Sequence, residues 1–350
     1  MISSVRKALS GFKRAAASGL FLGSLAIALT GCTSATLDDL GVATPKIPAA
    51  LLKEMQKKGM TAESPVLVRI FKEESVLEVW KQDRSGRYAL LKSYPMCRWS
   101  GKLGPKTKSG DRQAPEGFYH VSKGMLNPKS QYYLSFNLGY PNRLESALGY
   151  TGEALMVHGA CSSSGCYAMT DQGVGEIYSL VQKALDGGQD RFQVQAFPFR
   201  MTARKLVAHR DDPNFSFWRT LKQGYDSFET TRQQPKVSVC GRRYVFDTSF
   251  GDGEPRSPLA DCPAAGVVDP RVAAAWSTQT KEIDKLLTEE TENHAMSYVD
   301  GGMHPSFRAL LKENGPEKLA SRISQTSYPI SRPAAALADP FNGEKLPKTP

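Results

Sequence analysis

The 350-residue sequence has little of what marks several common classes of protein. It has only five histidines, and most of them are scattered without the spacing of zinc ligands: His120, His209, His294 and His304. It also has no glycine-rich phosphate loop of recognised spacing, no internal repeat and no basic stripe interleaved with aromatic residues. We therefore expect no metal, no other cofactor and no nucleic-acid partner.

The formal net charge of +10 is not concentrated in one patch. Residues 1–31 contribute +4 of it, because they contain Arg6, Lys7, Lys13 and Arg14 and no acid. The rest of the chain is mildly basic, with its charges spread along the sequence. Such a surface would suit anionic surroundings such as wall polymers or lipid head groups, although ordinary solubility explains it more simply.

The N-terminal segment has the pattern of a secretory signal. Basic residues precede an apolar run at 15–29 that is too short to span a bilayer comfortably. The run ends in Leu29-Thr-Gly-Cys32, which resembles the bacterial lipobox, although an ordinary cleaved signal is the alternative. We predict a lipoprotein signal peptide at 1–31, a lipid on Cys32 and a tether at 32–63. Because Thr33 follows in place of an aspartate, a periplasmic protein anchored to the outer membrane is expected.

Five cysteines remain after Cys32, and an odd number in an oxidising compartment implies a thiol outside any disulfide. Cys240 and Cys262 could close a local loop, and Cys97 and Cys161 could form a second pair. This pairing would leave Cys166 as the free thiol. Five cysteines allow many other connectivities, so the pairing is a hypothesis.

Strand patterns fill the middle of the chain. Runs of β-branched and aromatic residues, with turn residues between them, predict strands at 66–71, 76–80, 88–94, 118–121, 131–136, 154–157 and 191–196. Thr170 or Asp171 can cap a helix that ends before Gly187-Gly188. The pattern predicts an α+β, mostly β and mostly antiparallel catalytic domain at 64–203, a sandwich or barrel with few helices.

The C-terminal extension, 204–350, has helical patches at 215–228 and 273–289 and is expected to be partly disordered after about residue 300. The segments 225–232 and 237–246 look ordered. They could pack against the catalytic domain or steer substrate, and docking of a partner is an equally open alternative.

One segment, residues 157–167, concentrates reactive groups. It contains His158, Gly159, Ser163, Ser164 and then Gly165-Cys166. A cysteine nucleophile acts as its thiolate, and a nearby imidazole can take its proton. The N–H groups of Gly165 and Cys166 could stabilise an oxyanion. Each residue alone is more often structural, because a lone cysteine is usually a small buried apolar residue and a serine–glycine cluster is usually a loop.

His-Gly followed by Ser-x-Gly-Cys resembles the signature of the YkuD-type L,D-transpeptidase domain, and more closely its YafK-like branch. The resemblance covers about residues 65–200. It includes three upstream stretches, Gly101-Lys-Leu-Gly-Pro-Lys106, Gly110-Asp111 and Ala114-Pro-Glu-Gly117.

The resemblance implies a β-rich fold in which Cys166 attacks a meso-diaminopimelate carbonyl of a peptidoglycan stem peptide. It implies a thioester intermediate, with His158 as the base and Ser163 orienting the loop. Two positions depart from the pattern of many members: Ser164 replaces a histidine, and Ala168 replaces an arginine. Arg143, Lys106 or Arg112 would then have to hold the substrate carboxylate.

The first functional hypothesis is therefore transpeptidation, a crosslink or an attachment of a protein amine to the wall. The second is hydrolysis of the same thioester by water, which would release a wall-linked lipoprotein or trim crosslinks. The third is a wall-binding lipoprotein without catalysis, which the altered Ser164 and Ala168 keep open.

Overall fold

A computed structural model describes residues 45–251, 253–264, 268–289, 298 and 300–323. The predicted signal peptide, Cys32 and the first part of the predicted tether lie outside these residues. The described part contains no helix that is long and apolar enough to cross a membrane.

The described residues form twelve strands and seven α-helices. The strands are β1 (Val66–Phe71), β2 (Val76–Gln82), β3 (Tyr88–Pro95), β4 (Arg98–Trp99), β5 (Gly117–Ser122), β6 (Leu126–Ser130), β7 (Tyr133–Asn137), β8 (Met156–His158), β9 (Tyr167–Ala168), β10 (Arg191–Phe197), β11 (Val237–Cys240) and β12 (Arg243–Phe246). The helices are α1 (Ala49–Lys57), α2 (Arg143–Ala147), α3 (Asp171–Asp186), α4 (Ala203–Ala208), α5 (Phe215–Thr231), α6 (Pro270–Glu289) and α7 (Pro305–Ile323). The expected fold class, mostly β with few helices in the catalytic domain, is confirmed.

Two five-stranded sheets build the body of the fold. Their strand orders are β3-β2-β1-β10-β5 and β4-β9-β8-β7-β6, and β11 and β12 form a separate hairpin. The pairing is antiparallel except that β1 runs parallel to β10 and β8 runs parallel to β9. The sequence analysis did not predict β4, β6 or β9, and it described the segment of β11 and β12 only as ordered, because two to five residues are too few for a clear alternating pattern.

Helix α3 packs in the main core, which both sheets share. Thr170 caps it, since its side chain accepts from the N–H of Gly173. Val174, Ile177, Leu180 and Val181 are fully buried in the same cluster as residues of both sheets. Most residues of α3 are buried, including the polar Glu176 and Ser179, so the helix is enclosed on most of its sides.

The C-terminal extension covers another part of the first sheet. Trp218 and Leu221 of α5 share an apolar cluster with Phe71, Phe118 and Phe197 of the sheet, so this cluster spans both sides of residue 203. Arg69 of β1 is buried there among aromatic rings, and its guanidinium pairs with Glu229 of α5 at 2.5 Å. Residues 204–231 thus form a layer packed on the strands.

Residues 300–323 lie in the region for which partial disorder is expected, and they pack against the catalytic-domain segment. Gly302 forms a β-bridge with Trp99, and α7 packs Phe307, Leu311 and Leu319 against the cysteines 97 and 161. These contacts are tertiary, so the low apolar content of the tail does not reveal them. Residues beyond 323 lie outside the described part.

A buried carboxylate joins three parts of this structure. Glu116 accepts from Lys72 Nζ (2.8 Å), the N–H of Gly104 (2.7 Å) and Trp218 Nε1 (2.8 Å). The side chains of Lys72 and Glu116 are fully buried. Glu116 therefore fixes the 101–117 loop between β1 and α5, because a buried charge is tolerated only when it is paired and fully hydrogen-bonded.

We expect Lys72→Met to lower the free energy of unfolding by about 3–5 kcal/mol, since it leaves the Glu116 carboxylate buried without its cation. Denaturant unfolding would measure the change. The double variant Lys72→Met/Glu116→Gln should regain part of the loss. Lys285→Met, at an exposed pair with Glu289, should cost less than about 1 kcal/mol. Equal effects at Lys72 and Lys285 would contradict the prediction.

Candidate active site

The parallel pairing of β8 and β9 brings the predicted nucleophile and base into the same part of the second sheet. Val157 pairs with Tyr167 and His158 with Ala168, and Cys166 directly precedes this paired segment. The sulfur of Cys166 accepts from the N–H of Met156, two residues before His158 on β8.

The loop at 159–166 must reverse direction within eight residues to join two parallel neighbours. Ala160, Cys161 and Gly165 have φ of 62°, 49° and 126°. The first two values are uncommon for residues with a side chain, and such a conformation needs support from its surroundings. Asp171 supplies part of it, because its carboxylate accepts from the N–H of Ala160 at 2.7 Å. The disulfide between Cys97 and Cys161 supplies another part.

The structure contains the two disulfides that the cysteine count put forward, Cys97–Cys161 and Cys240–Cys262. Cys166 is the free thiol among the described cysteines. The first disulfide ties the catalytic loop to the end of the segment that leads into β4, and the second closes the loop after the β11–β12 hairpin.

Cys166 is half-buried, and its sulfur is held by two backbone groups. The N–H of Met156 donates to Sγ at 3.4 Å, and Sγ donates to the carbonyl of Ala154 at 3.8 Å. Burial raises the pKa of the Cys166 thiol, while the Met156 N–H and the charge of Lys106 act in the opposite direction. Because burial dominates, the resting sulfur is a neutral thiol at neutral pH.

His158 is 4% exposed. Its Nδ1 lies 2.7 Å from the carbonyl oxygen of Gly159, so in the neutral ring Nδ1 carries the proton and Nε2 keeps the lone pair of a base. Burial lowers the pKa of His158 to about 4, which keeps the ring neutral at pH 7. The ring of Tyr132 lies against it, with centroids 4.8 Å apart.

Ser163 anchors the loop from inside. Its buried hydroxyl donates to the carbonyl of Cys166 at 2.7 Å and lies 3.1 Å from the hydroxyl of Ser100. The N–H of Gly165 points to Ser163 Oγ at 3.4 Å. The hydroxyl of Ser163 thus contacts both Gly165 and Cys166, the two residues whose N–H groups are predicted to face an oxyanion.

Gly159 and Ser164 have different roles from those of the reacting groups. The N–H of Gly159 donates to the carbonyls of Tyr132 and Leu134, at 3.0 and 3.3 Å, so it anchors the start of the loop. Ser164 is exposed, and Arg112 Nη1 approaches its hydroxyl at 3.5 Å.

The three cations proposed to replace the family arginine lie in different places. Arg143 donates to the carbonyls of Pro255 and Arg256 in the C-terminal extension. Lys106 is buried and pairs with Asp111, and its positive charge acts to lower the pKa of the Cys166 thiol. Arg112 lies at the other end of the loop, beside Ser164.

Sequence reasoning missed Tyr132, Asp171 as a loop anchor, and Arg98. Asp171 was considered only as a helix cap. Nothing local marks Tyr132 or Arg98, since both reach the site through strand pairing. No group of three or more metal-ligating side chains occurs among the residues that the structure describes.

The geometry predicts how Cys166 reacts with iodoacetamide. A neutral thiol beside a neutral imidazole reacts through its small thiolate fraction, so the rate should rise about tenfold per pH unit between pH 6 and 8.5. Mass analysis of the Cys166 peptide would measure it. His158→Gln should have the same slope. A flat rate from pH 5 to 8 would reveal a stable thiolate–imidazolium pair and contradict the prediction.

Comparisons with known proteins agree on one family. The model of the L,D-transpeptidase catalytic domain, YkuD, matches residues 65–195. Two proteins named "Putative L,D-transpeptidase YafK", from Escherichia coli strains K12 and O157:H7, are each 46% identical over 206 residues. These alignments cover 59% of this chain and 82% of each relative.

Solved structures give weaker similarities. The helical cell shape determining protein Pgp2 from Campylobacter jejuni is 16% identical with a TM-score of 0.32, covering 66% of this chain and 77% of that one. A point mutant of Pgp2 is 23% identical with a TM-score of 0.31, covering 42% and 52%. Bd1075 from Bdellovibrio bacteriovorus is 14% identical with a TM-score of 0.29, covering 50% and 77%. At these TM-scores the similarities support no further conclusion.

The matched segment, residues 65–195, contains both His158 and Cys166, and the 206-residue alignment to the YafK proteins extends beyond that segment. The chain therefore belongs to the YkuD family of L,D-transpeptidase catalytic domains.

Proposed function

We propose that this protein is a cysteine acyltransferase that acts on peptidoglycan stem peptides through a thioester on Cys166. The observation that carries the proposal is the free thiol of Cys166, whose sulfur contacts strand β8 at Met156, while β8 ends in a neutral His158 whose Nε2 keeps its lone pair. Membership of the L,D-transpeptidase family supplies the substrate class.

The first half of the reaction forms the thioester. His158 Nε2 takes the thiol proton as Sγ attacks the carbonyl carbon of diaminopimelate, in its peptide bond to the next stem residue. The N–H of Cys166 stabilises the oxyanion that develops on that carbonyl oxygen. The tetrahedral intermediate then collapses, the C–N bond breaks, and the leaving amine receives the proton from His158.

The second half transfers the acyl group. An incoming amine gives its proton to His158 and attacks the thioester, and an amide and the free thiol result. Water in place of the amine gives a carboxylic acid, which is the hydrolytic outcome. Both outcomes use the same two residues, so the acceptor that reaches the thioester determines the reaction.

Incubation with disaccharide tetrapeptides and with wall-linked lipoprotein in H₂¹⁸O would test the proposal, with products identified by mass. We expect crosslinked dimers without ¹⁸O for transfer, whereas one ¹⁸O in a new carboxylate would identify hydrolysis. Cys166→Ala should lower the rate by at least about 10³-fold because no thioester can form. Retained turnover in Cys166→Ala would overturn the mechanism, and Ser164→Ala is the matched control in the same loop.

We also propose that the protein is a periplasmic lipoprotein anchored through Cys32. The support is the basic and then apolar pattern of residues 1–31, which ends at the lipobox-like Cys32. Wild-type protein should sediment with the outer membrane on a sucrose gradient, and its N-terminal peptide should carry diacylglycerol. Cys32→Ser should lose the lipid and leave the outer-membrane fraction. Outer-membrane association that persists without Cys32 would refute the anchor.

A further inference from the structure

A buried arginine lies opposite the position where many family members carry one. Ala168 of β9 pairs with Arg98 of β4 on one side and with His158 of β8 on the other. Residues that face each other across paired strands project from the same face. The side chains of His158, Ala168 and Arg98 therefore form one row, so β4 supplies a guanidinium beside the position at which Ala168 carries none.

This guanidinium belongs to a site that holds a carboxylate. Asp300 Oδ1 accepts from the N–H of Gly101 at 3.1 Å, and Oδ2 lies 3.2 Å from Arg112 Nη2 and 3.5 Å from Arg98 Nη2. Two guanidinium groups and one N–H thus surround one carboxylate. The cations exceed the anion by one charge, which favours a bound anion at this position.

The carboxylate site is next to the nucleophile. Arg112 Nη1 reaches Ser164 Oγ at 3.5 Å, two residues before Cys166. A Cβ at Gly165 would lie 3.9 Å from the carbonyl carbon of Arg112 and 3.7 Å from the carbonyl oxygen of Gln113, so backbone packs on backbone here. The segment that carries Arg112 and the loop that precedes Cys166 are therefore in direct contact.

Asp300 reaches this site because the two residues that follow it, Gly301 and Gly302, have no side chains and can approach Trp99 closely. Gly301 has a φ of 72°, a conformation that favours glycine, and a Cβ there would lie 1.9 Å from the carbonyl oxygen of Trp99. Arg98 also donates to the carbonyls of Gly302 and Asp300, yet its Nε has no acceptor among the described residues. A donor of the buried cation therefore remains for another acceptor.

We infer that Arg98, Arg112 and the N–H of Gly101 form a carboxylate-binding subsite, that Asp300 fills it in the resting chain, and that a carboxylate of the stem peptide displaces Asp300. The identity of the ligand rests on the proposed function. The side chain of Arg112 is 49% exposed and that of Asp300 is 22% exposed, so a ligand can approach from solvent. Arg112 is then a binding residue, and Asp300 is an internal competitor.

Calorimetry in the Cys166→Ala background would test this inference without turnover. The probes are the disaccharide tetrapeptide and versions of it in which one carboxylate at a time is a carboxamide. Asp300→Asn should tighten binding of the parent peptide about tenfold because the competing charge is gone, and Arg112→Gln should weaken it about tenfold. The version that lacks the carboxylate bound at this site should bind weakly, and neither Asp300→Asn nor Arg112→Gln should change its dissociation constant.

The matched controls are Asp284→Asn and Arg271→Gln, on the exposed surface of α6, and both should leave the dissociation constant unchanged. Changes below twofold for both Asp300→Asn and Arg112→Gln would overturn the inference, as would equal responses of all amidated versions. If Asp300→Asn fails to fold, the dissociation constant of Arg112→Gln tests the inference by itself, because the half-exposed Arg112 can be replaced without disturbing the core. Turnover by Cys166→Ala would defeat the thioester mechanism and leave this binding result standing.

Discussion

Strand β9 contains only Tyr167 and Ala168, yet its pairing in parallel with β8 and antiparallel with β4 arranges the whole site. The first pairing brings Cys166, directly before β9, close to His158 at the end of β8, and the second places Arg98 in one row with Ala168 and His158. A shift of one residue in either register would turn these side chains to opposite faces. The disulfide at Cys161 and the Asp171 carboxylate hold the loop that enters β9, so they protect this register.

Cys166 and His158 are both neutral in this arrangement, and burial is the reason. It raises the pKa of Cys166 and lowers that of His158, so both shifts oppose a resting thiolate–imidazolium pair. In the proposed reaction the proton moves as the sulfur attacks, and the tautomer fixed by Gly159 leaves Nε2 ready to receive it. Such a site limits oxidation of its thiol, since the thiolate is the form that oxidants attack.

The C-terminal extension contributes to the site through two kinds of contact. Trp218 of α5 donates to Glu116, which holds the 101–117 loop that carries Arg112. Asp300 then reaches Arg112 and Arg98 from the other side of the loop. The extension therefore contacts the 101–117 loop and both cations, and its removal would take the indole N–H of Trp218 from Glu116 and the carboxylate of Asp300 from Arg98 and Arg112.

Local pattern was sufficient to predict the longer strands, helix α3 and the segment with His158 and Cys166. Alternation, capping and turn residues are properties of neighbouring residues, so the sequence determined them by itself. It left the cysteine pairing as one hypothesis among several, and it did not determine the two-residue strands β4 and β9, the contact of Tyr132 with His158, or the burial that sets both pKa values. Only the tertiary structure placed Arg98 opposite Ala168 and Asp300 between two guanidinium groups, because pairing between segments far apart in the chain depends on how the whole core packs.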